Sequence, residues 1–308
     1  MTVTPSALGH RPAAPAVKSE GPWVFSPRII GGESRVPVHA GGMSGARESY
    51  AHGHHESVLR SHRWRTAANS AAYLLDWLVA GADVLDVGCG PGTITIDFAR
   101  RVAPGRVVGV DRSEVVDAAR REAEGVANVE FCVGDVYRLP AADATFDVVH
   151  AHQLLQHLCD PIAALVEMRR VCRPTGVVAA RDSDYAAAVW YPADPALDRW
   201  LDLQRWVIRD SGGDPDAGRR LLGWARRAGF SEVVPSASVW CFATPEDRGW
   251  WAGMWADRVV GSLLAEHAVG RGLASRADLE GMARAWRRWA AAADGWFVVV
   301  HGEVVCTP

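Results

Sequence analysis

The stretch Val84-Leu85-Asp86-Val87-Gly88-Cys89-Gly90-Pro91-Gly92 decides how the chain is read: a short apolar strand carrying one acid runs into three alternating glycines, and Thr93 then opens a helical period. Glycines at this spacing let the backbone approach a ligand and let the following helix pack close to the strand. A glycine loop alone is a weak signal, because nicotinamide and flavin enzymes place G-x-G-x-x-G at the same point. Here the third glycine comes one residue too early for that pattern, and Pro91 replaces the freely rotating position. Asp86 puts a carboxylate where a pyrophosphate would be repelled and an ammonium group welcomed. The loop therefore points away from dinucleotides.

Working outward, strand and helix patterns alternate. Strands are predicted at 84–87, 106–110, 129–133, 146–151 and 176–181, with helices at 93–102, 114–124 and 162–172 between them. That rhythm requires right-handed crossovers and a parallel sheet covered on both faces, an α/β doubly wound, Rossmann-like architecture. Upstream, Trp64, Ala68, Ala71, Leu75 and Leu78 predict one amphipathic helix over 61–79. Downstream, helices are predicted at 195–209, 217–228, 245–265 and 276–292, and strands at 233–241 and 296–305, completing seven strands. The expected organisation is a flexible leader at 1–42, a helical cover at 43–80, a cofactor-binding core at 81–182, and lid helices with the last strands at 183–308. The leader holds six prolines and no period, and Met43 offers an alternative start.

Two more acids fall where a nucleoside cofactor needs them. Asp111 ends the second strand, where a carboxylate can accept both ribose hydroxyls, and Asp135 follows the third, within reach of an adenine amino group. With the glycine loop, Gly134-Asp135, Phe146-Asp147-Val148-Val149 and Arg173-Pro174-Thr175-Gly176 in order, residues 60–182 resemble the class I methyltransferases, and within them the ubiquinone and menaquinone C-methyltransferase group. Thr175 departs from the glycine many relatives have there. The resemblance implies S-adenosylmethionine as cofactor, bound by Tyr50, Asp86, Gly88, Gly90, Asp111 with its neighbour Arg112, Asp135 with its neighbour Val136, and His152.

A closer likeness is carried by Ser61-His62-Arg63 with 69–75, by His150-Ala151-His152-Gln153-Leu154-Leu155-Gln156-His157, and by Arg181-Asp182-Ser183-Asp184-Tyr185. These stretches are similar to fungal thiol methyltransferases acting on reduced gliotoxin-type dithiols, which implies a sulfur acceptor on a small molecule. Oxygen, nitrogen and carbon acceptors stay open on a shared scaffold, an O- or C-methyltransferase of a phenolic or quinol metabolite above all, and so does a non-catalytic S-adenosylmethionine-binding protein that senses or scaffolds. His152 sits past the fourth strand at the carboxyl edge of the sheet, where it serves either as a general base or as a capping or cofactor contact. His150 and His157 are weaker candidates. His52, His54 and His55 lack the accompanying ligands of a metal site, so no metal is expected, and they suit a mobile cover. Arg284, Arg287 and Arg288 suit a solvated helix face.

Composition narrows the function classes. A net charge of −3 without a basic run gives no electrostatic footprint for nucleic acid. The fourth strand leads into His150-Ala151-His152-Gln153 rather than the Asn/Asp-Pro-Pro-aromatic motif of base-directed amino methyltransferases. Six dispersed cysteines without a CxxC pair suit reduced thiols, and no apolar run or signal-like N-terminus is seen, so a cytoplasmic protein without a membrane partner is expected. Eleven of 14 tryptophans lie beyond residue 185; most are expected in core, with Trp250, Trp251 and Trp255 read as a lid over an apolar pocket.

Overall fold

The computed structural model describes residues 56–112 and 115–308. The chain enters through helices α1 (Glu56–Arg63) and α2 (Ala67–Ser70) and a 3-10 turn, Ala72–Trp77. It then alternates: β1 (Val84–Val87), α3 (Thr93–Val102), β2 (Val107–Asp111), α4 (Val115–Glu122), β3 (Val129–Val133), β4 (Phe146–His152), α5 (Pro161–Val171) and β5 (Cys172–Tyr191). After β5 come α6 (Pro195–Asp210), α7 (Leu221–Arg227), β6 (Glu232–Phe242), α8 (Pro245–Gly261), α9 (Leu263–Gly270), α10 (Arg276–Ala291) and β7 (Trp296–Thr307). The predicted seven-stranded sheet is present in the order β3-β2-β1-β4-β5-β7-β6. Strands β1 to β5 pair in parallel, and β7 enters antiparallel between β5 and β6.

The order reverses at β1, with β2 on one side and β4 on the other, which opens a crevice at their carboxyl ends. All four β1 residues are buried, as expected of a strand with helices on both faces. Two apolar clusters sandwich this half of the sheet: one holds Leu85, Val149, Leu165 and Met168, the other Leu74, Val84, Phe98 and Val148. A further core forms where the far ends of β6 and β7 meet α6, α8 and α10, around Trp200, Trp255, Trp286 and Phe297.

Several expectations need correction. The single helix predicted over 61–79 is broken after Arg63, because Thr66 and Asn69 form a reciprocal capping box that starts α2 afresh. Trp64, in the break, packs edge-on to Trp240 at 5.2 Å and lies 5.1 Å from Trp250, pinning the N-terminal cover to the later helices. The helix predicted over 245–265 divides at Ser262, whose extended backbone and hydroxyl cap α9. The fifth strand, predicted to stop at 181, runs 20 residues because β7 supplies partners along it. The 182/183 boundary therefore falls inside β5. Trp251 and Trp255 are 5% and 1% exposed and belong to the later core, so they are not a lid over the crevice. The leader, Met43, Tyr50 and the 52–55 histidines lie outside the described residues.

Candidate active site

The crevice is a cavity of about 330 Å³, within the usual range for a small-molecule site. Its floor is the glycine loop. Gly88 and Cys89 donate their N–H groups to the Val110 carbonyl at 2.7 and 3.1 Å, which ties the loop to the end of β2. Gly90 has φ +54 and donates its N–H to the Asp111 carboxylate at 3.0 Å. A side chain there would strain the turn that brings loop and acid together. Gly92 has a packing role: a Cβ on it would lie 2.8 Å from the Phe131 ring and 2.9 Å from Ala119.

Asp86 borders the cavity but is only 3% exposed. One carboxylate oxygen accepts from Thr95 Oγ1 at 2.5 Å and the other from His150 Nδ1 at 2.8 Å. Its charge is thus held by protein donors, and it acts on the cavity as a fixed negative wall. Asp111 and Arg112 line the next part of the cavity, followed by Gly134 and Val136. Asp135 is exposed, and its carboxylate accepts from the Tyr137 N–H at 3.0 Å, so at this turn Gly134 and Val136 form the wall.

The opposite end is built by His62, Arg65, His152, Gln153, His157 and Leu158. His152 is 5% exposed, and neither ring nitrogen has a hydrogen-bond partner among the described residues. Burial holds its pKa well below 6.5, helped by the charges of Arg65 and Arg181, so the imidazole is neutral near pH 7. His157 is pushed down to about 3 by burial and Arg65. His150 faces Asp86 rather than the open cavity. Gln153 adopts φ +50, in the left-handed region that non-glycine residues avoid.

Sequence reasoning singled out His152 and the loop, and the structure brings Asp86, Gly88, Gly90, Asp111, Arg112, Val136 and His152 around one cavity. It missed Arg65, Gln153 and His301. The irregular backbone at Arg65 and Gln153 carries no period, and His301 on β7 reaches the site only through the sheet.

This loop–acid–crevice arrangement is that of a nucleoside-cofactor-binding α/β enzyme. The methyltransferase-domain family matches residues 78–209. An uncharacterized methyltransferase of Schizosaccharomyces pombe is 38% identical over 270 residues, covering 83% of this chain and 95% of its own. The probable methyltransferase ltbC of Aspergillus luteorubrus is 30% identical over 285 residues, covering 85% of this chain and 98% of its own. Among solved structures, the YcgJ protein of Bacillus subtilis has a TM-score of 0.50 at 19% identity, over 77% of this chain and 97% of that one, a likeness of fold. The chain belongs to the class I S-adenosylmethionine-dependent methyltransferases, and S-adenosylmethionine is its cofactor. Among the described residues no helix is long and apolar enough to cross a membrane.

Proposed function

We propose that the protein methylates a small molecule at an ionisable sulfur, with a phenolic or quinol oxygen, or a quinol ring carbon, as the second reading. The observation that carries this is the end of the cavity away from Asp86 and Asp111: a neutral imidazole on His152 whose ring nitrogens have no hydrogen-bond partner among the described residues. The similarity to ltbC over 85% of this chain supports methyl transfer as the activity. Acceptors that enter through S–H or O–H suit such a pocket, since a thiol ionises at about 8.5 and a phenol at about 10.

In this reading Gly88 and Gly90 present the loop backbone to the cofactor's amino-acid portion, with Asp86 as the negative wall beneath. Asp111 would accept from the ribose hydroxyls while holding the Gly90 N–H, with Arg112, Gly134 and Val136 bordering the adenine and Asp135 standing exposed at the same turn, outside the cavity lining. The bound cofactor supplies an electrophilic methyl group on a sulfonium. The chain's own contribution is orientation and exclusion of water. His152 takes a hydrogen bond from the acceptor and orients it. The test is methyl release from S-adenosylmethionine onto a panel of thiols, phenols and quinols. Transfer to a thiol supports the first reading; transfer only to phenols or quinols supports the second. No transfer to any member removes both.

A further inference from the structure

Asp86 reaches the cavity with both carboxylate oxygens already held, and one of the two donors comes from the neighbouring strand. β1 and β4 pair in parallel with Asp86 directly opposite His150, so the two side chains leave the same face of the sheet. His150 Nδ1 lies 2.8 Å from Asp86 Oδ1. A carboxylate only accepts, so the ring proton sits on Nδ1 and the Nε2 lone pair turns away. The ring is fixed on its other sides as well: Phe98 of α3 stands edge-on at 5.0 Å, and the His152 ring lies parallel to it at 6.5 Å. His150 is fully buried, and Nε2 has no hydrogen-bond partner among the described residues, so the polar work of this side chain is directed at Asp86.

The second donor comes from a third element. Thr95, buried in the first turn of α3, gives its hydroxyl to Asp86 Oδ2 at 2.5 Å. The terminal torsion of an aspartate is soft and twofold, so a carboxylate with one donor turns easily. With α3 holding one oxygen and β4 the other, it cannot turn without breaking a bond. Its remaining lone pairs therefore keep one direction. Asp86 lines the cavity beside Gly88 and Gly90, whereas His150 is not among the lining residues. A cationic group arriving there meets an acceptor already oriented, and a preorganised partner spends less of the binding energy on ordering.

Building on the reading that places Asp86 beneath the cofactor's amino-acid portion, we propose that His150 is a positioning residue for the cofactor: its Nδ1–H fixes the Asp86 carboxylate to receive the cofactor's ammonium group. His150 acts through Asp86 alone, so its effect is confined to ligands that carry the amino-acid portion. A side chain that only filled the core would, when lost, weaken every ligand of the site alike.

The probes are S-adenosylhomocysteine, which carries the amino-acid portion, and 5′-methylthioadenosine, which lacks it, each titrated calorimetrically against the wild type and three variants. His150→Asn places an amide N–H where Nδ1 stands, His150→Gln places it where Nε2 stands, and His150→Phe keeps a ring without a donor. His150→Asn is expected to keep the wild-type preference for S-adenosylhomocysteine within about threefold, while His150→Gln and His150→Phe lose about tenfold of it. Affinity for 5′-methylthioadenosine, unchanged throughout, reports an intact fold. If His150→Phe does not fold, the contrast between His150→Asn and His150→Gln decides alone. An unchanged preference in His150→Gln, an equal loss in His150→Asn and His150→Gln, or a loss that falls equally on both ligands overturns the inference. Asp86→Asn separates it from the reading beneath it. Preference lost there but kept in His150→Gln and His150→Phe removes only the role of His150; preference kept in Asp86→Asn removes the placement of Asp86 and the inference with it.

Discussion

At the scale of single residues, His152 shows how burial changes what a side chain can do. A histidine at the carboxyl edge of β4 invites a general-base role, yet its depressed pKa makes it a poor proton acceptor near neutrality. The pH profile of kcat/KM is therefore expected to show no inflection near 6.5. One that appears there and vanishes in His152→Ala would restore the base role. His152→Ala should lower turnover while leaving the calorimetric affinity for S-adenosylmethionine unchanged; equal turnover would reduce the residue to scaffold. Asp111 works differently, since one carboxylate closes the glycine loop and faces the cavity. Hydrogen bonds to charged groups contribute about 1.5–3 kcal/mol each, so Asp111→Ala should weaken cofactor binding by roughly tenfold to a hundredfold on calorimetric titration.

At the scale of elements, β5 carries the polar load behind the site. Alternate residues face opposite ways along a strand, so Arg181 and Ser183 meet β7 and Gln153 while Asp182 meets the turn after β4. Arg181 is 1% exposed and pairs with Glu303 at 3.2 Å, and Ser236 and Ser238 of β6 also donate to that carboxylate. Removing Glu303 leaves a buried guanidinium unpaired. Glu303→Ala should cost about 3–5 kcal/mol in urea unfolding, and a loss under 1 kcal/mol would mean that the cation–π contact with Trp240 suffices. Asp182 gives a pH dependence of definite sign. Buried and raised to about 8, it keeps a proton that the unfolded chain releases near 3.9. The native state binds more protons between those values, so stability falls as pH rises from about 4 to about 8. Asp182→Asn should flatten that slope in unfolding measured across this range; an unchanged slope would place its source elsewhere.

At the scale of the whole molecule, two halves share one sheet. The parallel half makes the crevice, and the antiparallel half is anchored by the aromatic cluster in which Trp200 lies 4.6 Å from Trp255 and 4.7 Å from Trp286. Trp64 joins that cluster's edge to the N-terminal cover, and Arg60 reaches Asp257 of α8 at 3.0 Å. Trp286 is fully buried, so Trp286→Ala should cost about 3–5 kcal/mol, read as a lowered midpoint of thermal or urea unfolding.

What the sequence determined by itself was local or ordered along the chain: the glycine loop, the strand–helix alternation, the acids ending successive strands, and hence the fold and cofactor. Backbone stereochemistry and hydrophobic period act over a few residues, so they can be read without a structure. The tertiary structure decided what depends on register and long-range approach. Asp86 meets His150 because β1 and β4 pair at that register. Arg65, Gln153 and His301 meet although 88 and 148 residues separate the bonded pairs. The break at Trp64 and the burial of Trp251 and Trp255 were likewise settled by partners far along the chain. The protonation of the histidines at that end of the cavity follows from those contacts, because desolvation is a property of packed neighbours and leaves no periodic trace in the sequence.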